Sequence, residues 1–182
     1  ISACLVGSEM CIRDSHGASP EIHPNSWIAP DVHLIGDVHI GEGTNIWFGC
    51  VLRADVCSIS IGRFTNIQDR TVFHAESAHG DQPCTPTVVG DYVTIGPSCI
   101  IHGCRIHDLV MVGMNSTVMN HAEVEAESLL ESWSLVSEHK HIDARSHVVG
   151  IPGKVVRQVS DAEAVIIRRA AEHAWELAQA RR

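Results

Sequence analysis

Aliphatic side chains recur every six residues through most of this chain, a period that neither an α-helix nor an alternating strand produces. Ile22, Ile28, Leu34, Ile40, Ile46 and Leu52 fall on one series. After an insertion of three residues come Ile61, Ile67 and Phe73, and after a longer excursion Val89, Ile95 and Ile101. A last series runs Ile106, Val112, Val118, Val124, Leu130, Val136, Ile142 and Val148. A left-handed parallel β-helix has this period, because each flat face of its triangular coil takes six residues and turns one aliphatic side chain inward. Eighteen residues then complete a coil, and coils stack at the sheet spacing of roughly 4.8 Å. The pattern therefore predicts an all-β left-handed parallel β-helix of about seven coils, with every polar residue between the aliphatics assigned a position on the prism.

Three segments follow from where the period holds. Residues 1–15 fit neither the period nor a signal peptide and resemble translated adapter sequence, so they are expected to be a non-native or disordered extension. Residues 16–153 form the β-helix domain, whose coils begin near Pro20 and end near Gly150. Residues 154–182 are a linker and a C-terminal α-helix, opened by the capping-box spacing of Ser160-Asp161-Ala162-Glu163. Val165, Ile167, Ala171, Ala174, Trp175 and Ala178 share roughly one face of that helix, which is expected to cover the stack or pack on a neighbouring subunit. Residues 74–88, rich in Gly, Pro and polar side chains, read as a loop leaving the solenoid, where function tends to sit.

Composition excludes several classes of partner. A net charge of −9 argues against nucleic acid and against an anionic membrane surface. No run of eighteen apolar residues exists to span a bilayer. The seven cysteines (4, 11, 50, 57, 84, 99 and 104) form no CxxC pair and no even framework. They are expected to be reduced, mostly buried thiols in a cytoplasmic compartment. Cys104, beside His102, reads as a buried thiol rather than a nucleophile.

The chemistry lies immediately after the inward aliphatics. Arg53 follows Leu52, His74 follows Phe73 and His102 follows Ile101. Arg53 to His74 is 21 residues, and removing the insertion of three leaves 18. His74 to His102 is 28 residues, and removing the ten extra residues of the excursion leaves 18 again. The three thus share one column, a coil apart, and two histidines spaced roughly 4.8 Å apart can both reach a metal whose Zn–N bonds are about 2.0–2.1 Å.

With these residues in place the chain resembles the γ-class carbonic anhydrases and their hexapeptide-repeat relatives. The resemblance rests on Ile46-Trp47, Leu52-Arg53-Ala54-Asp55, Asn66-Ile67-Gln68-Asp69, His74 and His102-Gly103-Cys104. Val112-Gly113-Met114 and Gly150-Ile151-Pro152-Gly153-Lys154 extend it over residues 20–160. It implies a homotrimer with metal sites at subunit interfaces, each metal held by three histidines, two from one chain and one from its neighbour. Zinc is the implied metal, with iron or cobalt as alternatives. The metal lowers the pKa of bound water to near 7 and the hydroxide converts carbon dioxide reversibly to bicarbonate. His74 and His102 match the two ligands supplied by one chain. Arg53 and Asp55 match an ion pair near the site and the interface, and Gln68 matches a residue that orients the metal-bound water. Arg53 and Asp55 can equally form a plain interface salt bridge, and Asn66 and Gln68 can satisfy backbone groups at a prism corner.

One position departs from the pattern. The family's remaining histidine follows the Ile-Gly five residues before the His-Gly-Cys histidine, and here that place reads Ile95-Gly96-Pro97. Proline carries no donor atom, so Pro97 ligates nothing. His79, Cys84, Cys99 and His121 are the available substitutes. Three functions follow: a γ-type metalloprotein that hydrates carbon dioxide, a non-catalytic trimeric scaffold of the same family, and a hexapeptide acyltransferase using coenzyme A with a histidine base.

Overall fold

The computed structural model describes residues 11–181, and the expectation for residues 1–10 lies outside the described residues. The six-residue pattern winds into a left-handed parallel β-helix whose faces match the three sequence series. On the first face Leu34, Leu52, Phe73, Ile101, Val118 and Val136 pair in register. The second face stacks Ile22, Ile40, Ile61, Val89, Ile106, Val124 and Ile142. The third stacks Ile28, Ile46, Ile67, Ile95, Val112, Leu130 and Val148. Apart from Ile22 and Ile28, which are partly buried and pack against the cluster, these side chains are buried and form one axial core. Rows of like contacts explain why: each inward aliphatic sits on another apolar residue a coil above and below, with Phe73 the one ring in these three rows, so the narrow interior is filled mainly by Ile, Val and Leu.

The three-residue insertion is absorbed within one strand. Val51–Ile61 runs as a continuous strand of 11 residues from the first face to the second, carrying Arg53 and Asp55 on its way. The excursion at 74–88 forms a narrow arm closed by Glu76–Thr85 and His79–Gln82 bridges. A disulfide between Cys57 and Cys84 ties this arm to the long strand across a Cα–Cα distance of 5.8 Å. The expectation of reduced cysteines is corrected here. Twenty-seven residues separate the two in sequence, and only the return of the arm over the strand brings them together. Cys11 is disulfide-bonded as well. The cysteines therefore give no argument for a reducing compartment. Cys50, Cys99 and Cys104 are the buried free thiols expected.

Both ends add to the stack. Cys11–Arg13, within the stretch expected as an extension, pairs parallel with His33–Ile35. Lys154–Gln158, expected as linker, forms a strand antiparallel to Ser146–Val149. The C-terminal helix α1 spans Asp161–Gln179, with the predicted capping box formed at Ser160 and Glu163. It lies on the third face, against Asn45–Ile46, Asn66–Ile67 and Thr94–Ile95. Ile167, Ala171, Ala174 and Ala178 are its buried residues, whereas Val165 points outward. Small alanines let the helix axis approach the flat sheet closely.

Candidate metal centre

Arg53, His74 and His102 occupy one column on three successive coils, directly opposite one another in register. Asp55 lies two residues beyond Arg53 on the same strand and so projects to the same side. Arg53 Nη1 donates to Asp55 Oδ2 at 2.6 Å, and His74 Nε2 lies 3.0 Å from Asp55 Oδ1. His74 Nδ1 is 3.0 Å from His102 Nε2, and His102 Nδ1 is 2.5 Å from Asn120 Oδ1. Asn120 Nδ2 in turn donates to Glu76 Oε2 in the arm. Six side chains thus form an unbroken chain with the two imidazoles at its middle.

The outer partners decide where the ring protons sit. Asp55 is an ionised carboxylate: burial opposes its charge, but hydrogen bonds from Arg53 and His74 outweigh this and hold its pKa below the ordinary value. A carboxylate only accepts, so His74 carries its proton on Nε2 and its Nδ1 holds a lone pair. Burial lowers the His74 pKa, and the Arg53 and His102 charges push the same way against the hydrogen bond to Asp55, so the neutral ring is favoured. On the other side, Glu76 accepts from the Asn120 amide nitrogen, which turns the amide oxygen toward His102. His102 Nδ1 is then a donor, and Nε2 of the neutral ring holds a lone pair. With each ring donating outward, two ring nitrogens face each other at 3.0 Å. A shared proton or a metal ion can occupy the space between two such nitrogens, and imidazole nitrogens are donors that zinc, cobalt and iron accept. The pair fits a divalent metal.

The remaining expected residues stand elsewhere. Gln68 lies on the third face, beside Trp47 and Asn66 in a cleft of about 200 Å³ under Ala174 and Leu177 of α1. It does not join the histidines within the chain. Asn66 does not serve backbone groups at a corner: its side chain is buried with neither amide atom paired. Pro97 sits at the turn after Thr94–Ile95, between the third face and the first. None of the substitute ligands reaches the pair. Cys84 is in the disulfide, Cys99 Sγ bonds the Gly113 carbonyl, His79 pairs with Glu76, and His121 stacks on His139 with ring centroids 4.7 Å apart.

Among the described residues, one group of three donors can hold a metal within a single chain, and it lies on the second face: His107, Glu123 and Glu125. His107 Nε2 is 2.8 Å from Glu123 Oε1 and 3.8 Å from Glu125 Oε1. His141 and Asp143 continue the cluster on the next coil. The eighteen-residue spacing of His107 and Glu125 gives this group away in the sequence, by the same column rule that joined His74 to His102. It was missed because no familiar motif marks it.

Known proteins resemble this chain over most of its length. A family model for the bacterial transferase hexapeptide (six repeats) matches residues 19–54. The chain is 41% identical over 142 residues to the probable carbonic anhydrase of Methanocaldococcus jannaschii, covering 78% of this chain and 86% of that protein. It is 40% identical over 161 residues to mitochondrial gamma carbonic anhydrase 2 of Arabidopsis thaliana, covering 88% of this chain and 58% of the plant protein. The chain spans 59% of the related plant gamma carbonic anhydrase 1. The crystal structure of a hexapeptide transferase family protein from Anaplasma phagocytophilum superposes with a TM-score of 0.86 at 37% identity, covering 93% of this chain and 97% of that one. The chain belongs to the γ-carbonic-anhydrase family of hexapeptide-repeat proteins.

Proposed function

We propose that this protein hydrates carbon dioxide to bicarbonate at a divalent metal, zinc first among the candidates, held by His74 and His102. The observation that carries this reading is the pair of ring nitrogens facing each other at 3.0 Å, with their N–H groups directed outward to Asp55 and Asn120. A metal bound there supplies a hydroxide nucleophile at neutral pH by acidifying coordinated water. Arg53 neutralises Asp55, and Asp55 fixes the tilt and tautomer of His74, as carboxylates behind metal-binding histidines do.

The site is completed between copies of the chain, in a homotrimer. Beside the histidine column, Val72 and Ile100 point outward at 40% and 49% exposure, and Met114 and Trp133 stand exposed at 52% and 63% in the corner turns that lead onto this face further along the stack. Exposed apolar side chains along one side of a solenoid suit burial against another copy. Gln68, remote from the histidines of its own chain, would approach those of a neighbour. The substrate is a small neutral molecule, which suits a site without a large cavity.

Pro97 favours a second reading, a trimeric scaffold of the same family that has lost catalysis with its third ligand. Stopped-flow carbon dioxide hydration by the cobalt-loaded protein separates the two. The catalytic reading expects activity above that of His102→Ala and a further rise in Pro97→His. Wild-type activity no higher than that of His102→Ala establishes the scaffold.

A further inference from the structure

The arm at 74–88 does more than leave the solenoid: it returns one carboxylate to the histidine column. Gly103, at φ 51°, forms the corner immediately after His102. A Cβ there would meet Glu76 Cβ at 3.1 Å and Glu76 N at 3.3 Å, so the bare glycine lets the arm lie against the coil. Gly103 N donates to Thr87 Oγ1 at 2.8 Å, and Thr87 Oγ1 donates to the His74 carbonyl at 2.5 Å, which pins both roots of the arm. Glu76 N donates to the Thr85 carbonyl at 3.0 Å across it. The Glu76 carboxylate is thereby held against Asn120, which lies in the turn after Thr117–Val118, one residue beyond the position that the register sets opposite His102 on the next coil.

An amide side chain can present either its oxygen or its nitrogen, and the second partner of Asn120 decides which. Glu76 Oε2 accepts only, so Nδ2 faces it and Oδ1 faces His102. With the amide reversed, oxygen would oppose carboxylate and an N–H donor would take the Nδ1 lone pair of His102. The neutral ring would then carry its proton on Nε2, the nitrogen that faces His74. We propose that Asn120, oriented by Glu76, is a positioning residue that fixes His102 with its proton on Nδ1 and its Nε2 lone pair toward His74. Glu76 and Asn120 thus serve His102 as Arg53 and Asp55 serve His74, and the pair is buttressed from both ends. The value of this arrangement for metal binding rests on the function proposed above; the ring state itself does not.

Long-range proton–nitrogen NMR on metal-free protein labelled at histidine nitrogen reads that ring state directly. Spectra are taken well above the ordinary histidine pKa of about 6.5. Wild type is expected to show His102 protonated on Nδ1. Asn120→Ala is expected to move the proton to Nε2 while the amide spectrum of the coils stays in place. The double variant Asn120→Asp with Glu76→Gln reverses donor and acceptor at the outer link but still offers His102 an acceptor, and it is expected to restore the Nδ1 proton. An Nε2-protonated His102 in wild type overturns the proposal, as does an unchanged ring in Asn120→Ala. Cobalt titration of the same samples is expected to show affinity about 10–100-fold weaker in Asn120→Ala and recovered in the double variant. If wild type takes up no cobalt, the metal reading of the histidine pair fails, and the NMR result still decides the role of Asn120.

Discussion

His74 Nδ1 and His102 Nε2 stand 3.0 Å apart on adjacent coils, each ring held from behind by an acceptor on a different part of the chain. The sheet register places the two rings opposite one another, and their partners set which nitrogens meet. The consequences of this contact extend to metal affinity, acid stability and the arm that closes beside it.

Replacing Asp55 with Asn tests the support behind His74. The amide keeps the size of the side chain but weakens both the Arg53 ion pair and the acceptor for His74 Nε2–H. Cobalt affinity measured by calorimetry is expected to fall about 10–100-fold, the usual cost of losing a partner behind a metal-binding histidine. An unchanged affinity would make Arg53 and Asp55 an interface salt bridge and nothing more.

Acid should loosen the same network, and the sign follows from two lowered pKa values. Burial opposes the Asp55 charge, but Arg53 and His74 more than offset it, so its folded pKa lies below the unfolded value of about 3.9. Its contribution is complete above that value and lost as pH falls through the folded one. Burial likewise favours the neutral His74 ring, so its contribution is complete above about pH 6.5 and lost as pH falls through a lower folded value. Thermal midpoints should therefore decline as pH drops below about 6.5, and less steeply in a His74→Gln variant. A flat wild-type profile down to pH 4 would contradict the shifts.

The Cys57–Cys84 disulfide closes a loop with a sequence separation of 27 residues. Changing both cysteines to Ser is expected to cost about 3 kcal/mol of stability, largely through the greater freedom of the unfolded chain. Chemical denaturation checks this. The metal site should keep its ligands, because the roots of the arm are held separately by Thr87 and Gly103.

The three free thiols among the described residues should be inert in the native protein. Burial pushes Cys50 and Cys104 up to about 12 and Cys99 up to about 11, so almost no thiolate exists at neutral pH. Iodoacetamide at pH 8 is expected to label none of them until the coils unfold. Rapid labelling of Cys104 in the folded state would revive a nucleophilic role beside His102.

The fold was legible in the sequence because a solenoid repeats its contacts. Each inward position faces another apolar residue a coil away, so the spacing of Leu52, Phe73 and Ile101 fixed their register once the two insertions were removed. The column of Arg53, His74 and His102 followed by arithmetic. Its partners did not. Glu76 reaches Asn120 across 44 residues, and Cys84 reaches Cys57 because the arm doubles back. Neither contact belongs to the repeat, so spacing carries no trace of it. The His107, Glu123 and Glu125 group was legible by the same rule, since stacked polar columns obey it as well as stacked aliphatics do.

Among the described residues two places are therefore candidates to hold a metal, and a single comparison decides between them. Cobalt binding is titrated, with its visible absorption recorded, in wild type, His74→Ala, His102→Ala and His107→Ala. The His74–His102 centre predicts about one ion per chain in wild type, lost in both of the first two variants and kept in His107→Ala. Binding that survives both of those substitutions and disappears in His107→Ala would contradict it, and would move the metal to the second face.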